Sequence, residues 1–240
     1  MLLLAQFLNF LGYFVGGAVF IFQAKRRKLA TEGMGLILLA ALIGGLVGAK
    51  LTEWIFGAGA PLFNSPAAFF DPFVGGRSIL GGVVVGWLCV EIAKKRLGIT
   101  RKTGDMFAFA LPAGEAVGRL GCFVGGCCYG VGTSMPWAVY QHAEWRHPTQ
   151  LYSSFAALIT LGVVYFFRNR VPEGALFPIY LMMFGGSRLI IEFFRESDVV
   201  FAGMSVAQLV CAEIVISSAI LLVFRLRTAK RKEVLEIGRS

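Results

Sequence analysis

PAGEAVGRLGCFVGGCCYG, residues 112–130, is the stretch on which the reading of this chain turns. Placed on a helix, four-residue spacing divides it into two adjacent ridges. Gly114, Gly118, Cys122, Gly126 and Gly130 make one, almost bare backbone; Glu115, Arg119, Phe123 and Cys127 make the other, charge and thiol. Six of these 19 residues are glycine, and each weakens a water-exposed helix by about 1 kcal/mol relative to alanine. Inside a membrane the same glycines let a second helix or a lipid come close to the backbone. The segment therefore asks for a membrane around it.

The remaining composition supplies one. Of the 240 residues, 57% are hydrophobic and 15% charged, and the mean hydropathy is +0.71. Such values exclude a soluble or a disordered domain and describe a polytopic membrane protein. Apolar runs fall at about 2–22, 34–57, 78–93, 105–127, 149–167, 175–194 and 204–224, giving an all-α protein of about seven transmembrane helices. The N-terminal run has no basic residues before it, so it reads as an uncleaved first span and not as a signal peptide.

Charge placement sets the orientation. Seventeen of the 23 basic residues lie on alternate loops: Lys25–Lys28, Lys94–Lys102, Arg168 and Arg170, and the basic tail at 225–240. With the N-terminus outside and the C-terminus cytoplasmic, every one of these loops faces the cytoplasm. The net charge of +9 is thus mostly a topology signal and calls for no nucleic acid. One integral membrane domain over 1–240 is expected, with outer-side segments at 58–76 and 131–148.

Six basic residues break the pattern: Lys50, Arg77, Arg119, Arg146, Arg188 and Arg195. On this topology they lie within spans or on the outer side. An arginine near mid-membrane costs several kcal/mol unless it is paired or faces a polar cavity. Arginine also suits bidentate phosphate binding, so the set points to a phosphate-bearing anion, with a phospholipid headgroup closest at hand. Ion pairing is the competing account: Glu115 and Arg119 are four apart, and Arg188, Glu192 and Arg195 share a helical face.

Around 75–82 two double glycines, Gly75-Gly76 and Gly81-Gly82, flank Arg77 and Ser78. They fit a non-helical, cavity-lining entry to the third span, or glycines used for helix packing. Both histidines lie in the outer segment 131–148. His142 fits a solvated loop residue, whereas His147, followed by Pro148, Thr149 and Gln150 at the mouth of the fifth span, is placed to face a site. Cys122, Cys127 and Cys128 match zinc poorly, because a lone C-x4-C-C lacks the fourth ligand of a tetrahedral site. Thiol chemistry and compact apolar packing both stay open for them; for Cys89 and Cys211, each alone in a span, packing suffices.

Three segments together resemble the prolipoprotein diacylglyceryl transferase family of bacterial inner-membrane enzymes. GRLGCFVGGCCYG at 118–130 is similar to that family's Gly-Arg-x-Gly-Asn-Phe-x-Asn-x-Glu-x-x-Gly signature. Residues 146–152, with His147, Gln150 and Tyr152, resemble its His-Pro-x-Gln-Leu-Tyr-Glu element, and FGGSRLIIEFFRESD at 184–198 resembles its Tyr-Gly-x-x-Arg-Phe-x-x-Glu-x-x-Arg-x-x-Asp run. The 75–82 glycines and Gln208 match further elements in the same order. Cysteine or glycine stands where the signature has polar residues: Cys122 and Gly125 at its asparagines, Cys127 at its glutamate. Leu80 replaces a histidine and Ser153 a glutamate.

The resemblance implies transfer of the diacylglyceryl group of phosphatidylglycerol to the cysteine of a lipoprotein signal peptide, without a cofactor, at the inner membrane, by a divergent cysteine-containing branch. By motif position it implies that Arg119 and Arg188 hold phosphate, supported by Glu192 and Arg195. Gly75, Gly76, Arg77, Ser78, Gly81 and Gly82 would line the cavity, and His147, Gln150 and Tyr152 would stand at its outer edge. Cys122 and Cys127 are added as candidate reactive thiols, and no metal is expected. Two other readings use the same scaffold: a membrane thiol or redox protein, and a lipid-binding or transporting protein without catalysis.

Overall fold

A computed structural model describes residues 1–27, 33–56, 79–195, 199–201 and 203–237. The described chain is built of helices: α1 (Leu2–Arg26), α2 (Met34–Phe56), α3 (Ile79–Arg96), α4 (Gly104–Val124), α5 (Thr149–Phe167), α6 (Leu176–Glu192) and α7 (Val206–Ile237). The expected all-α architecture and its seven apolar segments are therefore present. Among the described residues five helices, α1, α2, α4, α5 and α7, are long and apolar enough to cross a membrane. The 18-residue α3 ends in Lys94, Lys95 and Arg96, and the 17-residue α6 carries Arg188 and Glu192, which shorten their apolar stretches. At the far end α7 continues helically to Ile237, well past the apolar run that ends near 224, because the basic segment carries no helix breaker before Gly238.

Two compact units emerge. In the unit Ala24–Arg101, α2 and α3 meet along a seam of small residues. A Cβ added to Gly44 would lie 2.8 Å from the Cys89 Cβ and 3.1 Å from the Gly86 Cα, and one on Gly82 would lie 3.0 Å from the Gly45 carbonyl oxygen. Gly81 abuts Gly48 and Thr52 in the same seam. Such contact lets two helices exchange dispersion contacts along their backbones, the association that works in lipid, where apolar burial offers no advantage. Gly81 and Gly82, expected at a cavity wall, thus pack α3 against α2. Gly75, Gly76, Arg77, Ser78 and the segment 58–76 lie outside the described residues.

The unit Met1–Gln23 with Lys102–Ser240 holds α4, α5 and α6 around a core of Ala108, Phe109, Val164, Leu176, Tyr180 and Phe184. The bare ridge of α4 meets α1: a Cβ on Gly12 would come within 2.8 Å of the Gly114 carbonyl oxygen, and one on Gly121 within 2.8 Å of the Ala5 carbonyl oxygen. Large apolar side chains such as Phe7, Phe14, Phe155 and Phe166 are exposed on the outer faces, the pattern of a protein whose solvent is lipid. At the start of α4, buried Asp105 accepts hydrogen bonds from the backbone N–H of Gly174 (2.8 Å) and Leu176 (3.1 Å), tying the α5–α6 turn to α4.

The expected outer loop at 131–148 has its own structure. Strands β1 (Val139–Gln141) and β2 (Glu144–Arg146) pair antiparallel, and His142 and Ala143 turn the corner with φ of 53° and 62°. Two consecutive left-handed residues are the geometry of a type I′ hairpin, whose twist suits the flanking strands. The segment before β1 pairs with the segment after β2 through Gly130 N–H to His147 O, His147 N–H to Val131 O, and Thr133 N–H to Trp145 O. A second small ribbon, β3 (Val199–Phe201) with β4 (Met204–Ser205), leads into α7.

Candidate functional site: a cationic cavity and a thiol cluster

A narrow, water-sized cavity between α4, α5 and α6 has a mainly apolar lining, with Pro112, Phe184 and Ile191, into which Glu115, Ser153 and Arg188 bring polar groups. Ser153 and Thr160 stand seven apart on α5, two helical turns, so they present hydroxyls to one face of an otherwise apolar helix. Within α5 each hydroxyl donates to the carbonyl four residues back, Ser153 to Thr149 and Thr160 to Ala156, which leaves the oxygen lone pairs for the cavity. This polar stripe is legible in the sequence as three small residues, Ser153, Ala157 and Thr160, at helical spacing; it was not among the expected site residues.

The arginines are both paired and poised. Arg119 is buried and donates from Nε (3.2 Å) and Nη2 (3.1 Å) to Glu115 Oε1. Arg188 Nη2 lies 3.1 Å from Glu192 Oε2, and Glu192 is itself buried. The i, i+4 pairing expected as the competing account therefore exists, yet it does not use up the cations. Among the described residues Arg188 Nη1 is buried without a hydrogen-bond partner, and Arg188 lines the cavity. Arg119, Arg188, Arg195, Glu115 and Glu192 form one electrostatic neighbourhood in which the cations also act on one another. Arg146, by contrast, belongs to the hairpin: it pairs with Glu144 at 2.7 Å, donates to the Gly130 carbonyl and lies 4.7 Å from the Tyr129 ring centroid.

The helix drawn through 112–130 stops at Val124, and the two ridges do not run on. Gly125 caps α4, and Gly126 takes the left-handed conformation with φ 67°. Gly126 N–H donates to Phe123 O and Cys127 N–H to Cys122 O, the paired backbone bonds of a Schellman motif. That motif folds the residue two beyond the cap over the third-last helical residue, here Cys127 over Cys122. Cys127 and Cys128 thus leave the helix, and the reversal brings their sulfurs to Cys122 all the same: the three Sγ atoms lie within 4.8 Å of one another, and all three thiols are free. Cys128 holds φ 61°, a conformation that a non-glycine residue keeps only when its surroundings enforce it. Hydrogen bonds from Cys122 and Cys127 draw the Cys128 thiol well below the usual thiol range, with Arg195 and Arg119 adding to the effect. Cys127, on the donating side of that network, is pushed up.

The neighbours of the loop explain how it is held. Gln150, fully buried, donates from Nε2 to Cys127 O at 2.7 Å; Thr149 Oγ1 donates to Cys128 O at 2.7 Å; His142 Nε2 lies 2.7 Å from Gly126 O. Gln150, expected at the outer edge of the cavity, braces the cysteine loop. His142, expected to be merely solvated, is exposed but docked on that loop, its ring 4.4 Å from Tyr129. Its position in a I′ turn made the docking illegible from spacing alone. Buried His147 has Nδ1 3.0 Å from Tyr152 Oη, and Trp137 Nε1 donates to the same oxygen at 2.7 Å. Indole N–H can only donate, so the Tyr152 oxygen accepts from Trp137 and joins it to His147 in one chain of polar contacts.

Comparison with known proteins places this architecture. A sequence model of the prolipoprotein diacylglyceryl transferase family matches residues 7–224. Among curated relatives, the phosphatidylglycerol–prolipoprotein diacylglyceryl transferase of Finegoldia magna is 32% identical, over 88% of this chain and 86% of its own. Proteins of the same name from Cronobacter sakazakii (29% identical, 90% and 88%) and Bordetella bronchiseptica (30% identical, 91% and 90%) match over similar lengths. Seven helices in register with the apolar runs, the arginine pairs of α4 and α6, and a match that spans nearly the whole chain lead to one conclusion: the chain belongs to the prolipoprotein diacylglyceryl transferase family.

Proposed function

We propose that this protein is a membrane transferase that moves the diacylglyceryl group of phosphatidylglycerol onto the cysteine thiol of a lipoprotein precursor. The relatives bear that donor and that class of acceptor in their names. The observation that carries the reading is Arg188, whose buried Nη1 has no hydrogen-bond partner among the described residues, at the wall of that narrow cavity. A buried donor on a charged group left unsatisfied is costly, and a lipid phosphate entering from the bilayer would satisfy it. Arg119, held by Glu115, supplies the second cation; Glu192 and Arg195 orient Arg188 and set the local field.

The reaction forms a bond between the acceptor sulfur and the terminal glycerol carbon of the lipid while the bond from that carbon to the phosphate oxygen breaks. Glycerol phosphate leaves with the electron pair. Negative charge on the leaving oxygen grows as the transition state is approached, so fixed guanidinium groups stabilise it more than the ground state. His147, its ring held by the contact with Tyr152, stands at the outer edge of the site. The charge distribution supports a bacterial-type inner membrane with the N-terminus outside, which puts the hairpin and the cysteine loop on the outer side.

Reconstitution into phosphatidylglycerol vesicles with a synthetic signal peptide bearing one cysteine tests the proposal. Intact-mass spectrometry should find the peptide heavier by one diacylglyceryl group, with glycerol phosphate released. Arg188→Ala should lower the rate by about a hundredfold or more, and Arg188→Lys should recover part of it. A wild-type protein that is folded in the vesicles and leaves the peptide unmodified would overturn the reading.

A further inference from the structure

We propose that Cys122, Cys127 and Cys128 form a three-thiolate zinc site whose fourth position is open, and that this position takes the acceptor thiol. The second half of this statement rests on the transferase reading above; the first half does not.

Geometry carries the site. Zinc bound to thiolates at about 2.3 Å in a tetrahedron holds its sulfurs about 3.8 Å apart, and the three Sγ atoms already lie within 4.8 Å of one another. Small χ1 adjustments bring them onto one ion. The loop that presents them is fixed from outside by Gln150, Thr149 and His142, each bonded to a carbonyl of the segment 126–128. Such support around the ligands is what separates a metal site from a chance cluster. Among the described residues no histidine, aspartate or glutamate joins the three sulfurs, and Cys127 faces the exterior. Three protein ligands with an accessible fourth position is the arrangement of reactive zinc sites, whereas purely structural ones are closed by four. Three thiolates on Zn(II) leave one negative charge, and Arg119 and Arg195 lie close enough to offset it.

The chemistry is balanced. Binding exchanges three S–H bonds for three Zn–S bonds and releases three protons to water. The acceptor cysteine gives up a fourth proton on entering the open position and becomes a thiolate at neutral pH, the species that attacks carbon. Its sulfur then forms the C–S bond as glycerol phosphate leaves, and the neutral thioether, a poor ligand, departs. No oxidant or reductant takes part. The site would thus do in this chain what a polar side chain cannot: hold the incoming sulfur already ionised beside the phosphate-binding arginines.

Cobalt(II) substitution in the full-length protein, purified in detergent under reducing conditions, tests both halves without turnover. One equivalent of Co(II) should bind with the intense charge-transfer and ligand-field bands of tetrahedral thiolate coordination, and zinc should displace it. Cys122→Ser, Cys127→Ser and Cys128→Ser should each abolish these bands, Gln150→Ala should weaken binding by about tenfold, and Cys89→Ser and Cys211→Ser should leave it unchanged. Elution as a monodisperse species shows that each variant is folded. Adding the single-cysteine signal peptide should strengthen the charge-transfer band, and the same peptide with serine should not. Absent bands, bands that survive Cys127→Ser, or a Cys122–Cys127 disulfide in the purified protein would overturn the site. An unchanged spectrum with the cysteine peptide would overturn the role of the fourth position, whether or not the vesicle assay shows transfer.

Discussion

At the scale of single residues, two details divide the work of the site. Among the described residues Arg188 keeps one buried donor without a partner although its neighbour Glu192 is only 3.1 Å away, because a carboxylate four residues along the helix reaches one edge of the guanidinium and leaves the other to the cavity. Gly126 does the complementary task of turning the chain. With φ 67°, alanine there would cost about 1–2 kcal/mol, although its Cβ would meet the His142 ring only at an ordinary contact distance of 3.6 Å. Gly126→Ala should therefore lower the thermal midpoint modestly and weaken Co(II) binding more than any substitution of equal stability cost elsewhere; equal Co(II) affinity would show that the turn does not set the sulfur positions. Both arginines, and the thiols as candidates, were legible in the sequence because charge and sulfur are rare in apolar spans. Which atoms of them stay unpaired was not, since that depends on side-chain geometry across α4, α5 and α6.

At the scale of elements, glycine decides how close helices come. Gly12 and Gly114 meet backbone to backbone, so Gly12→Val should cost about 1–3 kcal/mol through overpacking, read as a lower unfolding temperature in detergent. An undiminished midpoint would mean that α1 does not need the close approach. The α4 start depends on a different device. Asp105→Ala would leave the Gly174 and Leu176 N–H groups without their acceptor, at about 1–3 kcal/mol each, and Asp105→Asn should restore at most one of the two bonds, because its single oxygen can accept from one N–H while its NH2 group faces the other. Some helix extents were readable from hydropathy almost to the residue, as with α5 at 149–167, whereas α7 runs on to Ile237 through its basic segment. The end of α4 was not, because the glycine ridge suggested continuation while the Gly125-Gly126 pair is a stop signal; two uses of one residue type competed, and the local cap won.

At the scale of the whole molecule, the basic loops are expected to face the cytoplasm, and the family match says which scaffold they belong to. In a protein whose five cysteines are replaced, Ser134→Cys should react with a membrane-impermeant maleimide added to spheroplasts, and Thr100→Cys should react only after the membrane is opened. The reverse pattern would invert the topology. Composition and order along the chain determined the membrane class, the number of helices and the family, because each is a sum over many residues that no single contact can change. Tertiary structure alone decided the rest: that Gly81 and Gly82 pack α3 on α2, that Gln150 braces the cysteine loop, and that the Cys122, Cys127 and Cys128 sulfurs come together. Those outcomes depend on where a chain reverses and which carbonyls are left to be satisfied, and a linear pattern of residue types does not contain that information.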